Sequence, residues 1–166
     1  MNRLGEVIEV TAVRFKRLLP GPPDHVWSYL TECGRLETWF GKDGFIEPRE
    51  GGAICFMEGH IKGVVTQWQP AKRLAYTWNV FDPGEEVSAH PESYLSFELQ
   101  PAGEEVELTL FHLPIPAPFQ KQTCMGWHTF LDILEAGVSG QTPQPREVYT
   151  KANAEKYGVD LNNLAG

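Results

Sequence analysis

His112 is the polar side chain whose position speaks most directly of chemistry. It shares the parity of Val106, Leu108 and Leu110, which alternate along a strand-like run, so its imidazole belongs on the same face as those apolar groups. At the end of an apolar row it can donate a hydrogen bond to a ligand, or serve as acid or base if its pKa suits. The simpler reading, a strand-end histidine bonded to backbone or water, carries more weight. Tyr94, a possible second polar group, has the parity opposite to Leu95 and Phe97 and is predicted to point outward.

His128 and Asp132 stand four residues apart, the spacing of a metal pair or a proton-transfer dyad. A helical step of about 100° sets them opposite the apolar stripe of their own stretch, which predicts solvent exposure. His25, His60 and His90 fall in unrelated segments without ligand spacing, and no metal or cofactor motif is present. Cys33, Cys55 and Cys124 are an odd, widely spaced set, read as reduced thiols. Glu50-Gly51-Gly52 precedes a strand instead of a helix, so it reads as a hairpin turn and not a phosphate cradle.

The elements that must position these residues are legible from periodicity. Residues 7–19 are rich in β-branched side chains and predict a first strand ending at the Pro20-Gly21-Pro22-Pro23 turn. Two short helices follow, the second over residues 35–40 with Leu36, Trp39 and Phe40, forming a clasp. Strands are then predicted over residues 45–48, 53–58, 61–69, 73–81, 93–100 and 105–112. Alternation is clearest in Leu74, Tyr76, Trp78, Val80; in Leu95, Phe97, Leu99; and in Val106, Leu108, Leu110.

Residues 119–140 carry Phe119, Thr123, Gly126, Trp127, Phe130, Ile133, Leu134 and Gly137 on one helical stripe, with Lys121, Met125, His128, Asp132 and Glu135 outside it. Such a helix is ~33 Å long and needs a broad apolar partner, which the strands supply. The expected architecture is α+β: a curved antiparallel sheet of six to seven strands around a long C-terminal helix. Residues 1–140 form that domain, and 141–166 a tail with room for a polar helix over Arg146–Tyr157 that turns Val148, Tyr149 and Ala152 to one side.

Composition limits the function classes. The 166 residues fit one domain, and a 42% hydrophobic, 22% charged make-up is that of a globular chain. Fourteen Lys plus Arg against twenty-two Asp plus Glu give a net charge of −8. An acidic chain without a basic cluster is a poor partner for nucleic acid. No signal-peptide pattern and no run of 18 apolar residues is seen, so the expectation is a cytoplasmic protein without membrane insertion.

The order of elements resembles the helix-grip fold of the START-like, or SRPBCC, superfamily. Within it the chain is most similar to the family named for homology to the activator of the heat-shock-protein-ninety ATPase. The residues that carry this are Val26-Trp27, Leu30-Thr31, Trp39-Phe40-Gly41, Glu50-Gly51-Gly52, Gly63-Val64-Val65, Arg73 to Trp78, Leu108-Thr109-Leu110 with His112, and Gly126-Trp127 with Phe130-Leu131 and Leu134, all in family order. The resemblance implies a fold more than a chemistry, since branches of the superfamily bind lipids, sterols or hormones or act as cyclases.

Three function classes are therefore held. The leading one is binding of a small apolar or aromatic molecule between sheet and helix, with Trp39, Phe40, Tyr76, Trp78, Phe97, His112, Phe119, Trp127 and Phe130 lining the cavity. Gly126, Gly137 and Gly63 are read as places where the wall is thin. Its opening is expected near the clasp and the loop of residues 82–92. The second class is an enzyme using acid–base chemistry through His112. The third is a co-chaperone-type interaction module; in the co-chaperone this module follows a separate N-terminal domain, so a chaperone partner is the less favoured expectation.

Overall fold

The computed structural model describes residues 3–165. Seven strands run in chain order as β1 (Val13–Pro20), β2 (Phe45–Ile46), β3 (Ala53–Phe56), β4 (Ile61–Gln69), β5 (Arg73–Val80), β6 (Ser93–Ala102) and β7 (Glu105–Leu113). They form one antiparallel sheet in the spatial order β1-β7-β6-β5-β4-β3-β2. Helices α1 (Pro23–Thr31) and α2 (Cys33–Leu36) follow β1, and α3 (Gln120–Val138) and α4 (Arg146–Tyr157) follow β7. This is the α+β helix grip that the order of elements resembles. No helix among the described residues is long and apolar enough to cross a membrane.

Period-2 patterning does what it should in the central strands. Leu95 faces His112, Phe97 faces Leu110 and Leu99 faces Leu108 across β6 and β7, and all six are buried. The opposite parity is wetter, with Tyr94 51% exposed. Trp127, Leu131 and Leu134 of α3 press onto this concave face.

The first strand is shorter than its sequence suggests. Residues 7–12 stay outside the sheet and exposed, although they are as β-prone as the rest. Their neighbour would have to be the continuation of β7, which beyond Leu113 runs into Pro114, Pro116 and Pro118. Proline cannot donate to a ladder, so only one bond, from Ile115 N–H to the Thr11 carbonyl at 2.9 Å, continues the pairing.

The clasp closes one end of α3. A helix leaves its last carbonyls without intrahelical partners. Here Tyr29 donates its hydroxyl to the Gly137 carbonyl at 3.0 Å, and the His25 imidazole bonds the Val138 carbonyl at 3.1 Å. Trp39 donates its indole N–H to the Tyr29 carbonyl at 2.7 Å, tying the second half of the clasp to the first.

The outward side of α3 departs from expectation. His128 and Asp132 are only half-exposed, because α4 lies along that side of the helix. His128 bonds the Tyr157 hydroxyl at 2.7 Å, and Asp132 accepts from Arg17 of β1 at 3.0 Å and from Asn153 at 3.1 Å. Met125 and Thr129, also off the apolar stripe, are buried, and Thr129 accepts a bond from the fully buried Asn153. The face that α4 turns inward carries Tyr149, Asn153, Ala154 and Tyr157, while Val148 and Ala152 are exposed. Polar side chains thus cover the helix here, and apolar periodicity alone assigned the face wrongly.

Candidate functional site

A cavity of about 640 Å³ opens at the other end of the grip, beside the N-terminus of α3. Trp78 and Val80 of β5, Ser93 of β6 and His112 of β7 make its floor. Ile115 and Phe119, from the proline-rich link into α3, make an apolar wall. The mouth is rimmed by Thr11 and Ala165 from the two ends of the described chain, Asp82 and His90 from the 82–92 loop, His60 from the turn before β4 and Gln122 of α3.

His112 is held by a directed chain of bonds. Trp127 Nε1, which can only donate, points at His112 Nδ1 at 3.0 Å. Nδ1 must therefore be the unprotonated nitrogen, and Nε2 carries the hydrogen toward Ser93 Oγ at 2.7 Å. Ser93 in turn donates to the Trp78 carbonyl at 3.3 Å. Burial pushes the imidazole pKa down from the usual 6.5 to about 4. At neutral pH this is an uncharged histidine with both nitrogens engaged inside the protein. Trp78 and Trp127 pack their rings 5.3 and 5.9 Å from it.

The predicted lining residues divide into two groups. Trp78, His112 and Phe119 border the cavity. Trp39, Phe40, Tyr76, Phe97, Trp127 and Phe130 do not border it; they interlock behind it as solid core. Phe40 stacks on Phe56 at 4.4 Å and meets Trp39 at 4.6 Å, Phe130 at 5.1 Å and Trp127 at 5.8 Å. Phe130 is roofed by the Arg146 guanidinium 4.6 Å above its ring, and that burial lowers the Arg146 pKa. The cavity opens at the 82–92 loop; at the clasp a separate, shallower groove of about 370 Å³ lies outside the aromatic packing, between Trp39, Gly41, Ile133 and Arg146.

Two of the three glycines do not thin the wall. A Cβ on Gly63 would collide with the Thr77 carbonyl of β5, and the neighbouring Val64 N–H bonds the Thr77 hydroxyl at 2.8 Å. A Cβ on Gly137 would stand 3.2 Å from the Tyr29 ring. Both admit close neighbours, and of the three only Gly126 has open space beside it.

Ser93 is the functional group that sequence reasoning passed over. Its parity matches Leu95, Phe97 and Leu99, so the inward position was readable; a serine opening a strand drew no notice. At the mouth, Gln122 grips the C-terminal tail with both ends of its amide, accepting from Ala165 N–H at 2.9 Å and donating to the Ala165 carbonyl at 3.3 Å. His90 meets Phe119 edge-on at 5.1 Å. Among the described residues no group of three His, Cys, Asp or Glu gathers as a metal site.

A curved sheet closed on one long helix, with a cavity at the helix's N-terminal end, defines a helix-grip protein. The chain belongs to the family described as Activator of Hsp90 ATPase homolog 1-like protein, whose profile matches residues 20–139. CalU16 from Micromonospora echinospora has the same fold at 24% identity and a TM-score of 0.70, with 89% of this chain and 86% of that one covered. An HSP90 activator from Plasmodium falciparum aligns at 20% identity and a TM-score of 0.66, over 77% and 96% of the two chains. The Aha1 dimer from Colwellia psychrerythraea aligns at 18% identity and a TM-score of 0.63, also over 77% and 96%. No curated protein matches the chain.

Proposed function

We propose that the protein binds a small apolar or aromatic molecule in the cavity at the N-terminal end of α3. The cavity itself carries the proposal: about 640 Å³ lies within the ~300–1,000 Å³ of small-molecule sites, and its inner walls are Trp78, Val80, Ile115 and Phe119. Acid–base catalysis has less support, because His112 is neutral and both its nitrogens are spent on Trp127 and Ser93. A chaperone-directed role draws on the family's description and the Plasmodium relative, not on a feature of this chain. The three free thiols fit a reducing compartment, and the proposal places the protein in the cytoplasm.

A thermal-shift screen of sterols, polycyclic aromatics and fatty acids, with titration of each hit, tests this. A true ligand at about 100 times its Kd adds ~2.7 kcal/mol of stability. Mass spectrometry of what co-purifies gives an independent identification. Absence of saturable stabilisation across the screen, with nothing co-purifying, would remove the proposal.

A further inference from the structure

We infer that the polar group this cavity accepts at its floor is a hydrogen-bond donor, so that its ligand is an uncharged aromatic molecule whose hydroxyl or N–H meets Ser93 Oγ. This rests on the binding reading above and narrows it to a ligand class. The argument is an accounting of valences. A serine hydroxyl has one hydrogen and two lone pairs. The hydrogen goes to the Trp78 carbonyl, and one lone pair takes the hydrogen of His112 Nε2. One lone pair remains, on a residue that lines the cavity. His112 has nothing left to offer, since Trp127 fills Nδ1. A ligand carbonyl or ether arriving there meets no free donor, whereas a hydroxyl or N–H finds an acceptor.

Charge points the same way. Among the described residues no Lys or Arg lines the cavity, and the Asp82 carboxylate stands at its mouth. His60 donates its Nδ1 hydrogen to the Phe81 carbonyl at 2.8 Å. An acid carried to the floor would shed its water without meeting a cation. The opposing feature is the start of α3, whose first-turn N–H groups favour an anion near Gln122 and Thr123. That attraction acts at the mouth, where water screens it and Asp82 opposes it.

Three ligands on one ring system separate these effects: 2-naphthol, 2-methoxynaphthalene and 2-naphthoate, titrated by calorimetry at pH 7. Naphthol is expected to bind roughly five- to tenfold tighter than the methyl ether, the ratio one hydrogen bond gives. Naphthoate is expected to be weaker than both by at least about tenfold. In Ser93→Ala the preference for naphthol over the ether should fall to near one, with folding checked by circular dichroism; the wild-type ratios decide the matter even if that variant does not fold. Equal binding of naphthol and the ether by the wild type would overturn the donor assignment and leave the binding reading standing. Tightest binding by naphthoate would overturn it too, in favour of the α3 N-terminus as anchor. No saturable binding by any of the three would overturn the inference, and the wider screen then decides the binding reading.

Discussion

The two ends of the helix grip are built from similar residues and arrive at opposite results. At the clasp end, Trp39, Phe40, Phe56, Phe97 and Phe130 interlock with their neighbours at ring distances of 4.4 to 6.4 Å. At the other end, Trp78 and Phe119 stand half-buried around 640 Å³ of space. The difference lies in what covers each end. Two helices cover the first, tied to the last carbonyls of α3 by Tyr29 and His25. The second is spanned by proline-rich chain, a loop and the two termini, none of which presents a regular apolar face. Aromatic content alone therefore does not open a cavity; aromatic content without a covering element does.

The largest effect is expected where the packing is complete. Phe40 is fully buried and touches five other aromatic rings, so Phe40→Ala should cost ~3–5 kcal/mol in chemical denaturation. A loss below about 1 kcal/mol would mean that the clasp end is as loosely filled as the other.

His112 lies at the boundary between the ends, and its protonation measures how dry that boundary is. Its folded pKa, about 4, is below the unfolded value of 6.5, so between those values the unfolded chain binds a proton that the folded chain does not. Stability therefore rises with pH through this window. The contribution is fully present above 6.5 and is lost as pH falls toward 4, by about 3 kcal/mol in total. Carboxylates titrate in the same range, so the decisive reading is the His112 imidazole itself, followed by NMR. A midpoint near 4, with the hydrogen on Nε2 above it, is expected; a midpoint near 6.5 would place the ring in water and dissolve the boundary.

Much of the fold was legible because it depends on patterns that repeat locally. Alternation in β5, β6 and β7 located the concave face, and parity alone put His112 on it. The site was less legible. Trp39 and Trp78 carry the same side chain on elements of equal promise, and only the path of the chain decides which one faces open space. The cover of α3 was hidden for a different reason. Asn153, Thr129, Asp132 and Arg17 bond one another across more than 100 residues of chain, and each alone reads as an exposed polar side chain.

Phe119 sharpens the comparison from the open side, where the smallest effect on stability is expected. Its ring is half-buried, one side bordering the cavity and the other meeting His90. Its backbone begins α3, but its side chain makes no capping bond, so alanine can take that place without loss there. Removing a ring that already faces empty space opens no new closed void, and Phe119→Ala should change stability by less than about 1 kcal/mol. Ligand affinity is the quantity that should fall, by roughly tenfold, because an aromatic ligand loses a wall of about one ring's area. Denaturation and titration on the same variant give both numbers. Small stability loss with large affinity loss is the signature of a site wall, and the converse ratio is that of Phe40. A Phe119→Ala variant that loses ~3 kcal/mol while binding naphthol unchanged would show the open end to be core, and the ligand to sit elsewhere.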